Sequence, residues 1–217
     1  MRIIAGKKRG MKLQSPGSDL SRPILDRVKE SLYSVLYQYA LPAEATVADL
    51  FCGVGSLGLE ALSRGAEFVT FVERDTKISA VLEKNIAKAG FVEETKVITA
   101  NAFQLGAAPA RGQGKYDLVF VDPPYPLTRD VGPDSQLAGL MNLLERQVTD
   151  QALVSVRTDK KVCLLQQYGR FDRLDRRVWG SMAVCLLRLR HTGHTGAGDA
   201  VGDLPLLDEL DLDQRET

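Results

Sequence analysis

Between residues 45 and 160 the hydrophobic positions switch repeatedly between two periods. Short runs rich in Val, Ile, Leu and Phe occur at Thr46–Phe51, Phe68–Glu73, Lys96–Thr99, Tyr116–Asp122 and Ala152–Val156. Ser56–Arg64, Thr76–Ala89 and Leu137–Gln147 instead carry apolar residues at helical spacing, and the first two run into Gly65 and Gly90. Strands that are apolar almost throughout, alternating with helices, predict an α/β fold with a mostly parallel sheet covered on both faces.

The ends of the chain read differently. Residues 2–14 predict a hairpin around a glycine-bounded basic turn. Asp26–Tyr39 places Val28, Leu32, Val35, Leu36 and Tyr39 on one helical stripe that Pro42 terminates. Phe171–Trp179 and Met182–Arg190, joined by Gly180-Ser181, predict a terminal antiparallel hairpin and bring the expected strands to seven. Residues 191–217 are glycine-spaced and then alternate acids with leucine, a composition expected to be disordered. The expected division is a basic N-terminal hairpin and helix over 1–40, a catalytic domain over 41–190 and an acidic tail over 191–217.

Charge changes this picture. The chain holds 28 Lys or Arg against 28 Asp or Glu, but unevenly. Residues 1–31 carry eight bases against three acids, residues 157–190 nine against three, and the tail one against seven. A basic body with an acidic tail suggests a polyanionic partner, although charges of this kind also serve as a solvated face. No apolar run approaches the length of about 18 residues of a membrane span, and the N-terminus has no apolar leader core. Three cysteines without metal spacing (Cys52, Cys163 and Cys185) predict reduced thiols in a cytoplasmic protein. His191 and His194 are too few ligands for a metal site.

Two segments carry candidate chemistry. In Asp49-Leu50-Phe51-Cys52-Gly53-Val54-Gly55-Ser56-Leu57-Gly58 the glycines fit G-x-G-x-x-G between a strand and a helix, with Glu73 at the end of the next strand. Such a turn lets backbone approach a nucleotide-like ligand while the later carboxylate accepts from ribose hydroxyls. Dinucleotides and S-adenosylmethionine share the arrangement. Asp49 would repel a pyrophosphate but suits a sulfonium ligand bearing an ammonium group, so it favours the methyl donor. The second segment is Asp122-Pro123-Pro124-Tyr125, at a strand's carboxyl end where open sheets bind ligands. The Asp122 carboxylate and the Pro123 carbonyl can accept both hydrogens of a planar exocyclic amine, Pro124 stiffens the turn, and Tyr125 offers a stacking face.

With Arg22-Pro23, Asp26-Arg27-Val28-Lys29-Glu30, the block 49–66 and Phe71-Val72-Glu73-Arg74-Asp75, these segments resemble the bacterial 16S rRNA guanine-N2 methyltransferase family. The resemblance runs from residue 1 to about 190. It implies a Rossmann-like class I methyltransferase fold, S-adenosylmethionine as cofactor and 16S rRNA as partner, within a small-subunit assembly particle. A monomer without metal or membrane partner is expected. By the same resemblance Asp49, Gly53 and Gly55 border the methionine part of the cofactor, Glu73 the ribose, and Asn101 and Ala102 the adenine. Asp122, Pro123, Pro124 and Tyr125 form the catalytic segment, and Lys7, Lys8, Arg9, Lys12, Arg22, Arg27 and Lys29 are candidates for RNA phosphate contacts. Three positions depart from the pattern: Ile24-Leu25 stand where hydroxyl residues are usual in the family, and Asn101 where the wider class often has Asp. Adenine-N6 or cytosine-N4 transfer, a nicotinamide-dependent oxidoreductase and a non-catalytic RNA-binding module are the competing readings.

Overall fold

The computed structural model describes residues 1–15, 26–107 and 114–190. Arg22, Ile24, Leu25, both histidines and the acidic tail lie outside the described residues. The elements are α1 (Asp26–Tyr37), β1 (Thr46–Leu50), α2 (Ser56–Ser63), β2 (Phe68–Glu73), α3 (Thr76–Ala89), β3 (Thr95–Thr99), α4 (Ala102–Leu105), β4 (Tyr116–Val121), α5 (Gln136–Leu144), β5 (Val148–Asp159), β6 (Gln167–Tyr168), β7 (Phe171–Trp179) and β8 (Met182–Leu189).

All the strands join one sheet in the order β3-β2-β1-β4-β5-β8-β7-β6. The first five are parallel, and β8 runs antiparallel to β5 from Leu153↔Arg188 to Asp159↔Met182. The seven expected strands are present, with one addition: the two-residue β6 pairs with β7 at the edge, too short to leave a hydrophobic pattern. Strand β5 is also longer than the five residues expected, because β8 pairs with it well past the apolar run.

Period-2 alternation sorts the strand residues between two cores. Val47, Val69, Phe71, Leu118, Phe120 and Leu153 face α1, α2 and α3, while Ala48, Leu50, Val72, Val119, Val121 and Val154 face α5. Chain order reverses at β1, with β2 and β3 on one side and β4 and β5 on the other. The crevice outside the carboxyl ends of β1 and β4 is therefore the place where a doubly wound sheet takes its ligand.

The N-terminal hairpin is reduced to one bridge, Arg2↔Lys12, with Ile3 N donating to Met11 O at 2.9 Å and a 3-10 turn at Gly6–Lys8. Its other polar groups go to helices. Ile4 N and Ala5 N donate to Glu60 at 2.8 and 3.0 Å, Lys8 N to Ser63 Oγ at 2.9 Å, and Gln14 N to Asn85 Oδ1 at 2.8 Å. Ile3 and Leu13 share the core of α1 and the sheet, so α2 is covered on both sides and every one of its residues is buried. Among the described residues no helix is long and apolar enough to cross a membrane.

Candidate active site

Strand β1 ends in a turn built to expose backbone. Phe51 adopts a left-handed φ of 59°, and Gly55 caps α2 at φ 85°, where a Cβ would lie 2.4 Å from Leu82. Gly58 is required for a different reason: a Cβ there would stand 2.3 Å from Phe71 Cε1 and 2.8 Å from Val69 Cγ1, so only glycine lets α2 lie this close to β2. Gly58→Ala is expected to force the buried Phe71 ring aside at about 1–3 kcal/mol. Thermal denaturation should show a fall of roughly 2–10 °C for a chain of this size.

Asp49 points from β1 into this turn. It is 1% exposed, and its Oδ2 accepts from Gly58 N at 2.8 Å, one of the free donors of the first turn of α2. Burial pushes its carboxyl up to about 8; the Gly58 bond opposes the rise, the charges of Asp122 and Glu73 add to it, and Arg157 works against it. Glu73, at the end of β2, accepts from Gly53 N at 3.0 Å with one oxygen and from Asp75 N at 2.9 Å with the other. Each of these oxygens has a further lone pair for a hydroxyl.

Asn101 caps α4, its side-chain oxygen accepting from Phe103 N at 3.1 Å, and Ala102 is buried beneath it. The rings of Phe51 and Phe103 meet there at 4.8 Å. These two phenylalanines supply an apolar wall that the sequence reading did not single out; the Gly-rich motif names the backbone of the turn and not the ring beside it. Cys52 is buried, and burial with the nearby Asp49 and Glu73 pushes its thiol well above the ordinary value, which leaves it a packing residue and no nucleophile.

Asp122 follows β4 directly, its N donating to Leu50 O at 3.3 Å and so placing the carboxylate beside the β1 turn. Arg157, one residue beyond the β4–β5 pair Val121↔Val156, donates through Nε to Asp122 Oδ1. Arg157 is the second functional candidate missed by the sequence reading, where it counted only as one base in a basic segment. Pro124 starts the 3-10 turn Tyr125–Thr128, which Leu127 N closes onto Pro124 O at 2.9 Å. Tyr125 is half-buried against the α1-side core, at the rim of the crevice.

The cationic candidates do not form one group. Lys29 is 1% exposed, bonded to Glu60 at 3.0 Å and to Arg2 O at 2.7 Å, and is withdrawn from any phosphate. Its helical position lies between Val28 and Leu32 on the buried face, which is the reason for the correction. Lys8, flanked by Lys7 and Arg9, sits by Ser63 at the far end of α2, about 10 Å behind its first residue by the rise of a helix. Lys12 stands beside Lys88, in the last turn of α3. These four are therefore not beside the crevice. Arg27 is exposed on the first turn of α1.

A family model described as "Conserved hypothetical protein 95" matches residues 1–188. Ribosomal RNA small subunit methyltransferase D from Escherichia coli K12 is 34% identical over 201 residues, covering 91% of this chain and 94% of its own. Putative rRNA methyltransferase YlbH from Bacillus subtilis is 28% identical and covers 88% of this chain and all of its own. Among solved structures, the putative methyltransferase yhhF from Escherichia coli superposes with a TM-score of 0.71 at 32% identity, covering 88% of this chain and 98% of that one. With a family model spanning nearly all of the described residues, and full-length relatives on the same crevice-forming sheet, the chain belongs to the Conserved hypothetical protein 95 family, the family of the small-subunit rRNA methyltransferases D.

Proposed function

We propose that this chain transfers the methyl group of S-adenosylmethionine to the exocyclic N2 of a guanine in small-subunit ribosomal RNA, acting as a single copy on an assembling subunit. The observation that carries the reading is the placement of Asp122-Pro123 at the carboxyl end of β4, tied to β1 through Asp122 N and Leu50 O, beside the glycine turn and Asp49. The names of the Escherichia coli and Bacillus subtilis relatives support an rRNA substrate.

The residues present fit the cofactor. Asp49 offers a buried carboxylate to its ammonium group, Gly53 and Gly55 open the backbone beside it, Glu73 has lone pairs for ribose hydroxyls, and Asn101, Ala102, Phe51 and Phe103 surround a place for the adenine. When bound, S-adenosylmethionine supplies an electrophilic methyl on a cationic sulfur.

The chain's own groups prepare the acceptor. Asp122 and the Pro123 carbonyl accept the two amine hydrogens, which turns the nitrogen lone pair out of conjugation with the ring, and the Asp122 charge stabilises the positive charge that develops on that nitrogen until one of its two protons is released to water. Tyr125 provides a face for the splayed base. Arg27 reaches RNA phosphate from the α1 edge. Positioning supplies most of the rate, with no covalent enzyme intermediate.

The test is transfer of labelled methyl to small-subunit particles lacking guanine-N2 methylation, followed by digestion to nucleosides. Label is expected in N2-methylguanosine, with an Asp122→Ala loss of about 100-fold in kcat. Label in N6-methyladenosine or N4-methylcytidine instead would keep the reaction and overturn the acceptor.

A further inference from the structure

We propose that Arg157 is a positioning residue of this site: its guanidinium clamps one oxygen of Asp122 so that the other faces the acceptor amine. The proposal rests on the function given above and adds a residue to it.

Arg157 stands on β5, directly across from the end of β4, and its Nε donates to Asp122 Oδ1. The side chain is only 13% exposed, and Asp122 is similarly sheltered at 16%. A pair held in such surroundings is far less screened than one on the surface. With Oδ1 occupied, Asp122 loses the freedom to turn about its terminal torsion, which is otherwise broad for a carboxylate. Its second oxygen is left for the substrate.

The guanidinium is only partly used. Nη1 of Arg157 is buried and makes no hydrogen bond among the described residues. A buried donor without a partner is uncommon, and here it stands beside the carboxylate that meets the base. A guanine presents acceptors next to its amine as well as donors, so the same guanidinium can hold Asp122 with one arm and donate to the base with the other.

The electrostatics agree with this geometry. Burial pushes the Asp122 carboxyl up, and Arg157 opposes that rise by charge and by its hydrogen bond. Among the described residues, the charges that act on Asp49 across the crevice are Asp122, Glu73 and Arg157. Arg157 is the cation among them. It keeps Asp122 ionised where burial would favour the neutral acid, one of whose oxygens would then donate a hydrogen in place of accepting one.

The variants are Arg157→Met, which removes fork and charge, and Arg157→Lys, which keeps the charge alone. Cofactor affinity within about threefold of the wild type serves as the check that each is folded. In Arg157→Met, kcat on small-subunit particles should fall about 100-fold with little change in KM for the cofactor. The acid limb of the rate profile should move up by about one pH unit or more. Arg157→Lys should restore the limb but only part of kcat. A double variant with Asp122→Ala should be no slower than Asp122→Ala alone, because the two residues act as a unit.

A readout independent of turnover is the carboxyl carbon resonance of Asp122, identified by its absence in Asp122→Asn, whose titration midpoint should rise in Arg157→Met. An unmoved midpoint, an unmoved acid limb or losses that multiply in the double variant would each overturn the proposal while leaving the reaction intact. A wild-type enzyme that makes no N2-methylguanosine would overturn the function and this role together.

Discussion

Glu60→Ala is expected to lower the stability of the folded protein by about 3–5 kcal/mol, the magnitude typical of breaking one side of a buried ion pair. Glu60 is fully buried in the middle of α2. Its two oxygens accept from Ile4 N, Ala5 N, Lys29 Nζ at 3.0 Å and Arg64 Nε at 2.7 Å. Removing it leaves Lys29 buried without its carboxylate. Burial already lowers the Lys29 pKa, and the Glu60 charge and hydrogen bond are the largest influences holding it up. The backbone donors of residues 4 and 5 also lose their acceptor. Urea denaturation should give the loss directly. Trypsin should cut faster at Lys7, Lys8, Arg9 and Lys12 as the N-terminal segment comes away from α2. The double variant Glu60→Ala with Lys29→Met should be more stable than Glu60→Ala alone, since it removes the orphaned cation. Equal denaturation midpoints for Glu60→Ala and the wild type would show that the network adds nothing.

The same network marks the limit of what the sequence could show. Strand and helix periods are local, and they placed the parallel sheet, the terminal hairpin and the two motifs at the ends of their strands, while the pairing of β1 with β4 that brings those motifs together came from the fold. The glycine turn and Asp122–Tyr125 were legible because each is a contiguous string whose chemistry depends on close neighbours. Lys29 was misread because a lysine in a basic stretch looks like surface until its carboxylate is known, and Glu60 lies 31 positions further on. A signal was present: Val28, Lys29, Leu32, Tyr33 and Leu36 form one helical face, and Leu57, Leu59, Ala61 and Leu62 surround Glu60. Charges of opposite sign on two apolar faces are candidates to meet. Arg157 had no such cue, because its partner is set by the β4–β5 register, which a single strand pattern does not contain. The far placement of Lys7, Lys8 and Arg9 follows from α2 running back along the sheet. Proximity in sequence to Arg27 therefore said nothing of proximity to the crevice.

Asp49→Asn is expected to remove a pH dependence that the wild type shows in two ways. The Asp49 carboxyl, at about 8 in the folded protein, is raised above its unfolded value of 3.8. Between those two values the folded state holds a proton that the unfolded state has released. The contribution to stability is therefore complete below about pH 4 and is lost as pH rises through about 8, an effect of up to roughly 6 kcal/mol. Cofactor binding works in the opposite direction. An ammonium group beside Asp49 favours the ionised form, so binding near pH 7 should release about one proton, and affinity should rise close to tenfold per unit between about pH 6 and pH 7.5. Asparagine keeps an oxygen for Gly58 N and so preserves the turn, but it cannot ionise. The variant should lose the slope in both measurements and bind S-adenosylmethionine about 10- to 100-fold more weakly, the range for one hydrogen bond to a charged group. Calorimetric titration in two buffers of different ionisation enthalpy counts the protons. A wild-type affinity that is flat from pH 6 to 7.5 would mean that Asp49 does not meet a cationic group, and the assignment of this turn to the amino-acid end of the cofactor would fall with it.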